Sequence, residues 1–396
     1  MNYGLKLGSR EISYTEQIFS LYHEGYFQYI ELFAVPGSFH ETIGYWKQFS
    51  FPFVIHAPHS FAGMNIALFE ERENNKNKIQ ETIKFADALN AEYIIFHSGV
   101  NGDTEETISQ LQPFADSRFL IENKPLKGLN GEKCLGATFK ELKYIIKKLQ
   151  VGFCLDFGHA ICTANSIKRK PIKFINKLFT LNPKMFHLTD GDYFSEYDTH
   201  YHYGKGNYPI RELFNMVPVN SKITNEARHE GNLLMFKEDS LYFMSILYIR
   251  KAEYSDMDIL FEWANDPLTR LNSLNQDTIP YQSHKEWFKR KISSNTSIIF
   301  IYHLEQENIG QVRLDINDST ANINYSISPL HRGKGYGNKI LQLIENKIKH
   351  EYTDIKTLTA VVKNENIASL KIFRKLKYNE ITENNLINFS KFLQNP

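Results

Sequence analysis

Eight short apolar runs, spaced by longer segments of helical periodicity, occupy residues 1–246 of this 396-residue chain. The runs lie at 3–9, 29–34, 53–59, 93–99, 118–125, 152–160, 184–192 and 222–228. One intervening segment, NKNKIQETIKFADALNA, places Ile79, Ile83, Ala86 and Leu89 on one helical face. Near-continuous apolar strands separated by helices predict a parallel sheet covered by helices. Eight such units in about 245 residues predict a closed (β/α)8 barrel.

The rhythm changes at Leu247. LYIRKA reads as a strand, and YSDMDILFEWANDPLTR as a helix capped by Ser255 or Asp256. SHKEWFKRKIS continues as a helix, and SIIFIYHL, NIGQVRLDI and ANINYSI as a strand meander. The helix YGNKILQLIENKIKHEY, the strand KTLTAVVK and the helix NIASLKIFRKLKY complete an α+β domain. The expected organisation is a barrel over 1–246 and a second domain over 247–396.

Charge argues against one class of partner. Residues 1–246 carry 26 Lys+Arg against 28 Asp+Glu, and the remainder 20 against 17. Neither half has the basic excess that a nucleic-acid backbone selects. The segment IKRKPIK (167–173) reads as a solvated helix face. No apolar run approaches the roughly 18 residues of a membrane span, and the N-terminus lacks a signal-peptide pattern. Cys134, Cys154 and Cys162 form no CxxC pair. A reducing, cytoplasmic location is expected.

Ten of the 14 histidines precede residue 230. Polar residues close the apolar runs: Glu31, His56, His97, Glu122, Asp156, His159, His187 and Glu226. In a barrel, the strand C-termini converge on one rim. Imidazole and carboxylate donors together suit zinc, manganese or ferrous iron. Without cations, so many carboxylates in one pocket would repel one another and take up protons. The loop DTHYHYGKG (198–206) adds Asp198 and His200 on a glycine-rich turn.

The segments IHAPH, FHSG, IEN, LDFGHA, FHLTD and DTHYHYGKG, in this order, resemble the xylose isomerase-like barrels and, within them, endonuclease IV. The resemblance implies a ligand set of His56, His97, Glu122, Asp156, His159, His187, Asp198, His200 and Glu226. It implies several divalent ions, zinc or manganese, with Asp198 and His200 serving a third. Glu122 would bridge ions and, with Glu226, act in catalysis. Sugar isomerases of the same superfamily use one site, matched by Glu122, Asp156, His187 and Glu226. The fuller set implies a phosphoester or phosphoanhydride hydrolase, because metals acidify water and neutralise phosphate charge. His59 stands where the endonucleases carry tyrosine, and His59 and Lys205 are the expected substrate contacts. That departure and the charge balance point to a substrate other than DNA.

In the second half, SPLHRGKGYGNKI (328–340) places a glycine-rich loop between a strand and a helix N-terminus, a cradle suited to phosphate. GxxxxGK[ST] is absent. The order resembles the Gcn5-related N-acetyltransferases, which implies acetyl-CoA binding by Arg332, Gly333, Lys334, Gly335, Tyr336 and Gly337. NENIASLKIFRKLKY resembles the same family's Asn-x-x-Ser helix through Asn366 and Ser369. Phe373 replaces the tyrosine often found there, and Asn322 and Asn324 replace a glutamate base. Tyr325, His303 or a bound water remain as acid–base groups, with Tyr325 taken as catalytic. FEWANDPLTR and SHKEWF resemble acceptor-side helices of a subgroup acting on ribosomal protein N-termini and on amino-sugar nucleotides, including a pseudaminic acid pathway enzyme. Trp263 and Trp287 would then frame the acceptor.

These readings together predict a bifunctional enzyme of amino-sugar biosynthesis. The second domain acetylates a nucleotide-linked amino sugar, and the barrel hydrolyses its nucleotide linkage. The expected partner is that small molecule, not a nucleic acid or a membrane. The alternatives are a sugar isomerase or epimerase with one metal, and a trinuclear-zinc abasic-site endonuclease fused to a protein acetyltransferase.

Overall fold

The computed structural model describes residues 1–218, 221–229, 231–304 and 307–393. The chain forms two compact units, Met1–Ser240 and Leu241–Pro396. The helix Leu234–Tyr248 holds both that boundary and the one expected at residue 246.

In the first unit every apolar run becomes a strand. They are β1 (Asn2–Gly8), β2 (Tyr29–Phe33), β3 (Phe53–His56), β4 (Ile94–His97), β5 (Phe119–Glu122), β6 (Gly152–Asp156), β7 (Met185–His187) and β8 (Lys222–Asn225). All are parallel and close in sequence order, β8 pairing back to β1. Most strands are shorter than their runs because pairing stops where the polar residues begin. β6 is the sharpest case, since the run 152–160 breaks at Asp156. Its carboxylate accepts the His159 N–H at 2.7 Å and caps the helix Phe157–Ser166. His159 therefore sits in the first turn of a helix, not at a strand end as its apolar surroundings suggest.

Side chains alternate along a strand, so residues two apart share a face. Tyr29, Val54, Ile95, Leu120, Cys154 and Met185 pack together as the barrel's interior. Two positions further along the same six strands stand Glu31, His56, His97, Glu122, Asp156 and His187. The apolar plug and the polar rim are thus consecutive inward positions of each stave. On β1 the corresponding pair is Gly4 and Lys6, registered against Tyr29 and Glu31. Gly4 leaves room for the Tyr29 ring, whose hydroxyl pairs with Thr224 Oγ1 at 2.7 Å across the barrel interior.

The second unit is a seven-stranded sheet. Its strands are β9 (Ile249–Lys251), β10 (Ser297–Leu304), β11 (Glu307–Asn317), β12 (Thr320–Ile327), β13 (Thr357–Lys363), β14 (Asn379–Glu383) and β15 (Leu386–Phe392), in the order β14-β15-β13-β12-β11-β10-β9. β12 and β13 pair in parallel only from Thr320↔Thr357 to Asn322↔Thr359, and beyond that point the pairing ends. The hairpin of β14 and β15 was not expected. Its turn residues Asn384 and Asn385 have φ of 48° and 61°, which suits a two-residue type I′ turn. The expected helix over 254–270 divides into Met257–Asn265 and Pro267–Asn272, with Asp266 capping the second through the Thr269 N–H at 3.1 Å. Asp256 faces backwards instead, accepting the Glu253 N–H and pairing with Arg250. No helix among the described residues is long and apolar enough to cross a membrane.

A Cβ at position 4 would meet Tyr29 Cε2 at 2.6 Å and Oη at 2.7 Å. Gly4→Ala is therefore expected to lower the unfolding free energy by about 1–3 kcal/mol through overpacking, measured by urea denaturation. An unchanged midpoint would contradict the interior packing described here.

Candidate functional site

Among the described residues the rim of the barrel gathers four donor groups, within each of which the ligand atoms lie within 4.8 Å of one another. They are His56–His97–Glu122, His159–Asp198–His200, Glu122–Asp156–His187–Glu226 and Glu31–His56–Glu226. All nine expected ligands fall within these groups. Glu122, like His56 and Glu226, belongs to two of them: His56 Nε2 and His97 Nε2 lie 3.2 and 3.1 Å from its Oε2, and His159 Nδ1 lies 2.9 Å from its Oε1. His187 Nδ1 lies 2.9 Å from Glu226 Oε1 and 3.4 Å from Glu122 Oε2. His159 Nε2 and His200 Nε2 lie 3.2 and 2.5 Å from Asp198 Oδ2.

A second layer of contacts fixes the imidazoles. His56 Nδ1 donates to the Ala57 carbonyl at 2.8 Å, His159 Nδ1 to the Asn123 carbonyl at 2.9 Å, and His187 Nε2 to Glu31 Oε2 at 2.9 Å. Each of these bonds leaves the other ring nitrogen aimed into the cluster, which is how proteins present histidine to a metal. Asn123 also ties β5 to β6, donating to the Asp156 carbonyl at 2.9 Å and accepting the Asp156 N–H at 2.8 Å.

The donor set fits divalent ions by a direct test. Glu31 Oε1, Glu122 Oε1, His187 Nδ1 and both Asp198 oxygens are buried and, despite neighbours at ion-pair distance, make no well-directed hydrogen bond. Buried polar atoms are ordinarily satisfied, and those left over face one another here. Burial, joined by the Asp198, Glu122 and Glu226 charges, lifts Asp156 to about 6 against the pull of His159. Burial also opposes ionisation of Glu31, yet the His187 and Lys6 charges bring it down to about 2. Burial and then the Lys124 charge hold His97 well below the usual imidazole range.

The loop carrying Asp198 and His200 is held by two buried carboxylates. Asp190 accepts four backbone N–H groups: Gly191 (2.8 Å), Gly204 (2.9 Å), Gly206 (3.1 Å) and Tyr208 (3.0 Å). Gly206 must be glycine because a Cβ there would stand 2.6 Å from Asp190 Oδ1. Asp239 accepts His202 Nδ1 at 2.6 Å, the Tyr203 N–H at 2.9 Å and Asn225 Nδ2 at 2.8 Å. His202, the second histidine of DTHYHYGKG, thus locks the loop to the end of β8, beside Glu226, and leaves the donor set to Asp198 and His200. His200 takes φ of 50°, which turns the chain back toward the rim.

The expected substrate residues divide. His59 stacks on His97 with ring centroids 5.3 Å apart, and burial followed by the Lys124 and His56 charges brings it down to about 3. Lys205 is exposed on its loop. Two lysines unread in the sequence reach the cluster. Lys124 Nζ lies 3.2 Å from His159 Nε2, and Lys6 pairs with Glu31 and Glu226. Lys124 follows Glu122 by two positions, a period-two signal available in IENK.

In the second unit, the unpaired stretch of β12 lines a cavity of about 970 Å³ with Arg332, Gly333, Gly335, Tyr336, Gly337 and Asn366. Arg332 is fixed by Asp266 at 2.6 Å and by Thr269 Oγ1 at 2.9 Å. Gly333 and Gly335 take φ of 76° and 83°, and the helix Tyr336–Glu351 starts directly after them. Asn366 accepts the Ser369 N–H at 3.2 Å, and Ser369 Oγ meets the Tyr325 hydroxyl at 2.9 Å. Tyr325, Asn322, Asn324 and Trp287 line the cavity. Trp263 does not, because it packs with Leu260, Phe288, Ile299 and Ile301 in the core. Lys334 is exposed beside the loop, and His303 stands at a bulge in β10.

Comparison with known proteins agrees with both halves. Residues 29–223 match the family model of the xylose isomerase-like TIM barrel, and residues 247–379 that of the acetyltransferase (GNAT) domain. The first unit therefore belongs to the xylose isomerase-like TIM barrels, and the second is a GNAT acetyltransferase domain. A probable endonuclease 4 of Thermoplasma volcanium is 28% identical over 151 residues, 35% of this chain and 52% of that protein. A probable endonuclease 4 of Aquifex aeolicus is 29% identical over 197 residues, 43% of this chain and 67% of that protein. The match thus spans about half of the Thermoplasma protein's length. The structure of a spermidine N-acetyltransferase from Vibrio cholerae, in complex with CoA and spermine, is 16% identical with a TM-score of 0.35, covering 37% of this chain and 95% of its own.

Asp190→Ala strands four backbone donors and is expected to cost about 2–4 kcal/mol in urea unfolding. The variant should also bind fewer zinc ions per chain than the parent in elemental analysis. Parental stability and zinc content would contradict the role given to Asp190.

Proposed function

We propose that this chain is a bifunctional enzyme that acetylates a nucleotide-linked amino sugar and hydrolyses its phosphate linkage. The observation carrying the hydrolytic half is the extent of the donor set. Glu122, Asp156, His187 and Glu226 suffice for one ion, as an isomerase would need, whereas His56 with His97 and His159 with Asp198 and His200 form further groups. Divalent ions held there would supply acidified water and charge neutralisation at phosphate oxygens. The chain's own residues orient the chemistry. Glu31 and the Ala57 and Asn123 carbonyls hold the imidazoles. His59 stands beside the rim for a substrate oxygen.

In the second unit, the turn Gly333–Gly335 and the following helix N-terminus would take the pyrophosphate of acetyl-CoA. The acceptor amine attacks the thioester carbonyl, the C–N bond forms as the C–S bond breaks, and the amine proton passes to solvent. Tyr325, held by Ser369, would protonate the departing sulfur and regain its proton from water. Its position near the loop supports this, since a Cβ on Gly337 would lie 3.5 Å from the Tyr325 ring.

Purified protein given acetyl-CoA and a UDP-linked amino sugar should release CoA and UDP. A chelator should stop UDP release and leave CoA release intact. CoA release independent of the sugar amine would refute the acetylation half. Similarity to the probable endonuclease 4 proteins favours a second reading, an abasic-site endonuclease, which metal-dependent nicking of abasic duplex without UDP release would support. Tyr325→Phe is expected to lower kcat of acetyl transfer about 100-fold, with KM for acetyl-CoA retained. An unchanged kcat would make Tyr325 a structural residue.

A further inference from the structure

The β1 member of the polar rim is a lysine. Lys6 Nζ lies 3.0 Å from Glu31 Oε1 and pairs with Glu226 Oε1. Those carboxylates, with His56, make up the fourth donor group of the rim. We propose that Lys6 is the resident cation of this group: its ammonium occupies the place of a metal ion and keeps one out. The inference rests on the metal-centre reading above.

Three observations carry it. First, both oxygens of Glu31 are engaged, Oε1 by Lys6 and Oε2 by His187 Nε2 at 2.9 Å. Glu31 then orients His187 and is no ligand itself. Second, His56 has one nitrogen left for a metal. Its Nδ1 donates to Ala57, and its Nε2 faces Glu122 at 3.2 Å in the group shared with His97. An ion in the fourth group would compete for that same nitrogen. Third, Glu226 Oε1 faces both Lys6 and His187 Nδ1, so an ion drawn toward Glu31 would be drawn away from the group of Glu122, Asp156 and His187. The ammonium thus neutralises part of a rim of five buried carboxylates without taking up a donor nitrogen.

Metal content measured after zinc loading and dialysis tests this. Lys6→Met should hold one more ion per chain than the parent, Lys6→Arg the same number as the parent, and Lys6→Met combined with Glu31→Gln should lose the extra ion. Circular dichroism reports whether each variant is folded. Zinc-soaked crystals of the unaltered protein provide an arm free of substitutions, with anomalous peaks expected at the other donor groups and none among Glu31, His56 and Glu226. A peak within that triangle, or a folded Lys6→Met variant with the parental zinc count, would overturn the inference and leave the metal centre standing. Absence of zinc from every group would overturn the metal-centre reading, and the inference with it.

Discussion

Five carboxylates and five imidazoles share one buried pocket at the rim of a barrel, and positive charge must be brought to it. Glu31, Glu122, Asp156, Asp198 and Glu226 converge with His56, His97, His159, His187 and His200. Burial alone penalises each carboxylate's charge, and their mutual repulsion adds to it. Asp156, lifted to about 6, registers that crowding. Much of the surrounding structure serves to hold these groups in place. Backbone carbonyls and Glu31 choose the imidazole tautomers, Asp190 and Asp239 pin the loop, and Lys6 supplies a fixed charge.

The barrel achieves this with a simple device. A strand repeats its facing every two residues, so one apolar and one polar inward position per stave stack a dry plug beneath a wet rim. The plug includes Tyr29, whose bulk demands a glycine at position 4 and whose hydroxyl finds Thr224. The rim is then delivered by covalent geometry, two residues further on. Asp198 and His200 come from outside the strands and the first turn that follows them, and their loop is held in place by hydrogen bonds to Asp190 and Asp239.

Period-two alternation made the barrel and most of the rim legible in the sequence, because each polar residue closes an apolar run. Lys6 is not legible because YGLKLGS reads as an ordinary alternating strand, and a lysine there looks solvent-facing until the partner carboxylates are placed. LDFGHA is apolar on both sides of the Asp156 cap, so its sequence suggests a strand where His159 lies on a helix. The hairpin Asn379–Phe392 is not legible although Asn384-Asn385 is a turn signal, since its first strand, Asn379–Glu383, is exposed throughout and carries no apolar alternation. Resemblance puts Trp263 at a cleft, whereas the packing of its helix turns it into the core. Asp190 could not be ranked above other aspartates, because its importance lies in four backbone donors brought from distant positions.

The two units present different chemistries: a rim of imidazole and carboxylate donors, and a splayed sheet whose loop and helix N-terminus face a large cavity. The account depends on the first being a site for several ions. Calorimetric titration of metal-free protein with zinc, with elemental analysis of the product, tests this most directly. More than one ion per chain is expected, with the count falling in Glu122→Gln, because Glu122 belongs to two donor groups. A single ion per chain, or none, would contradict it.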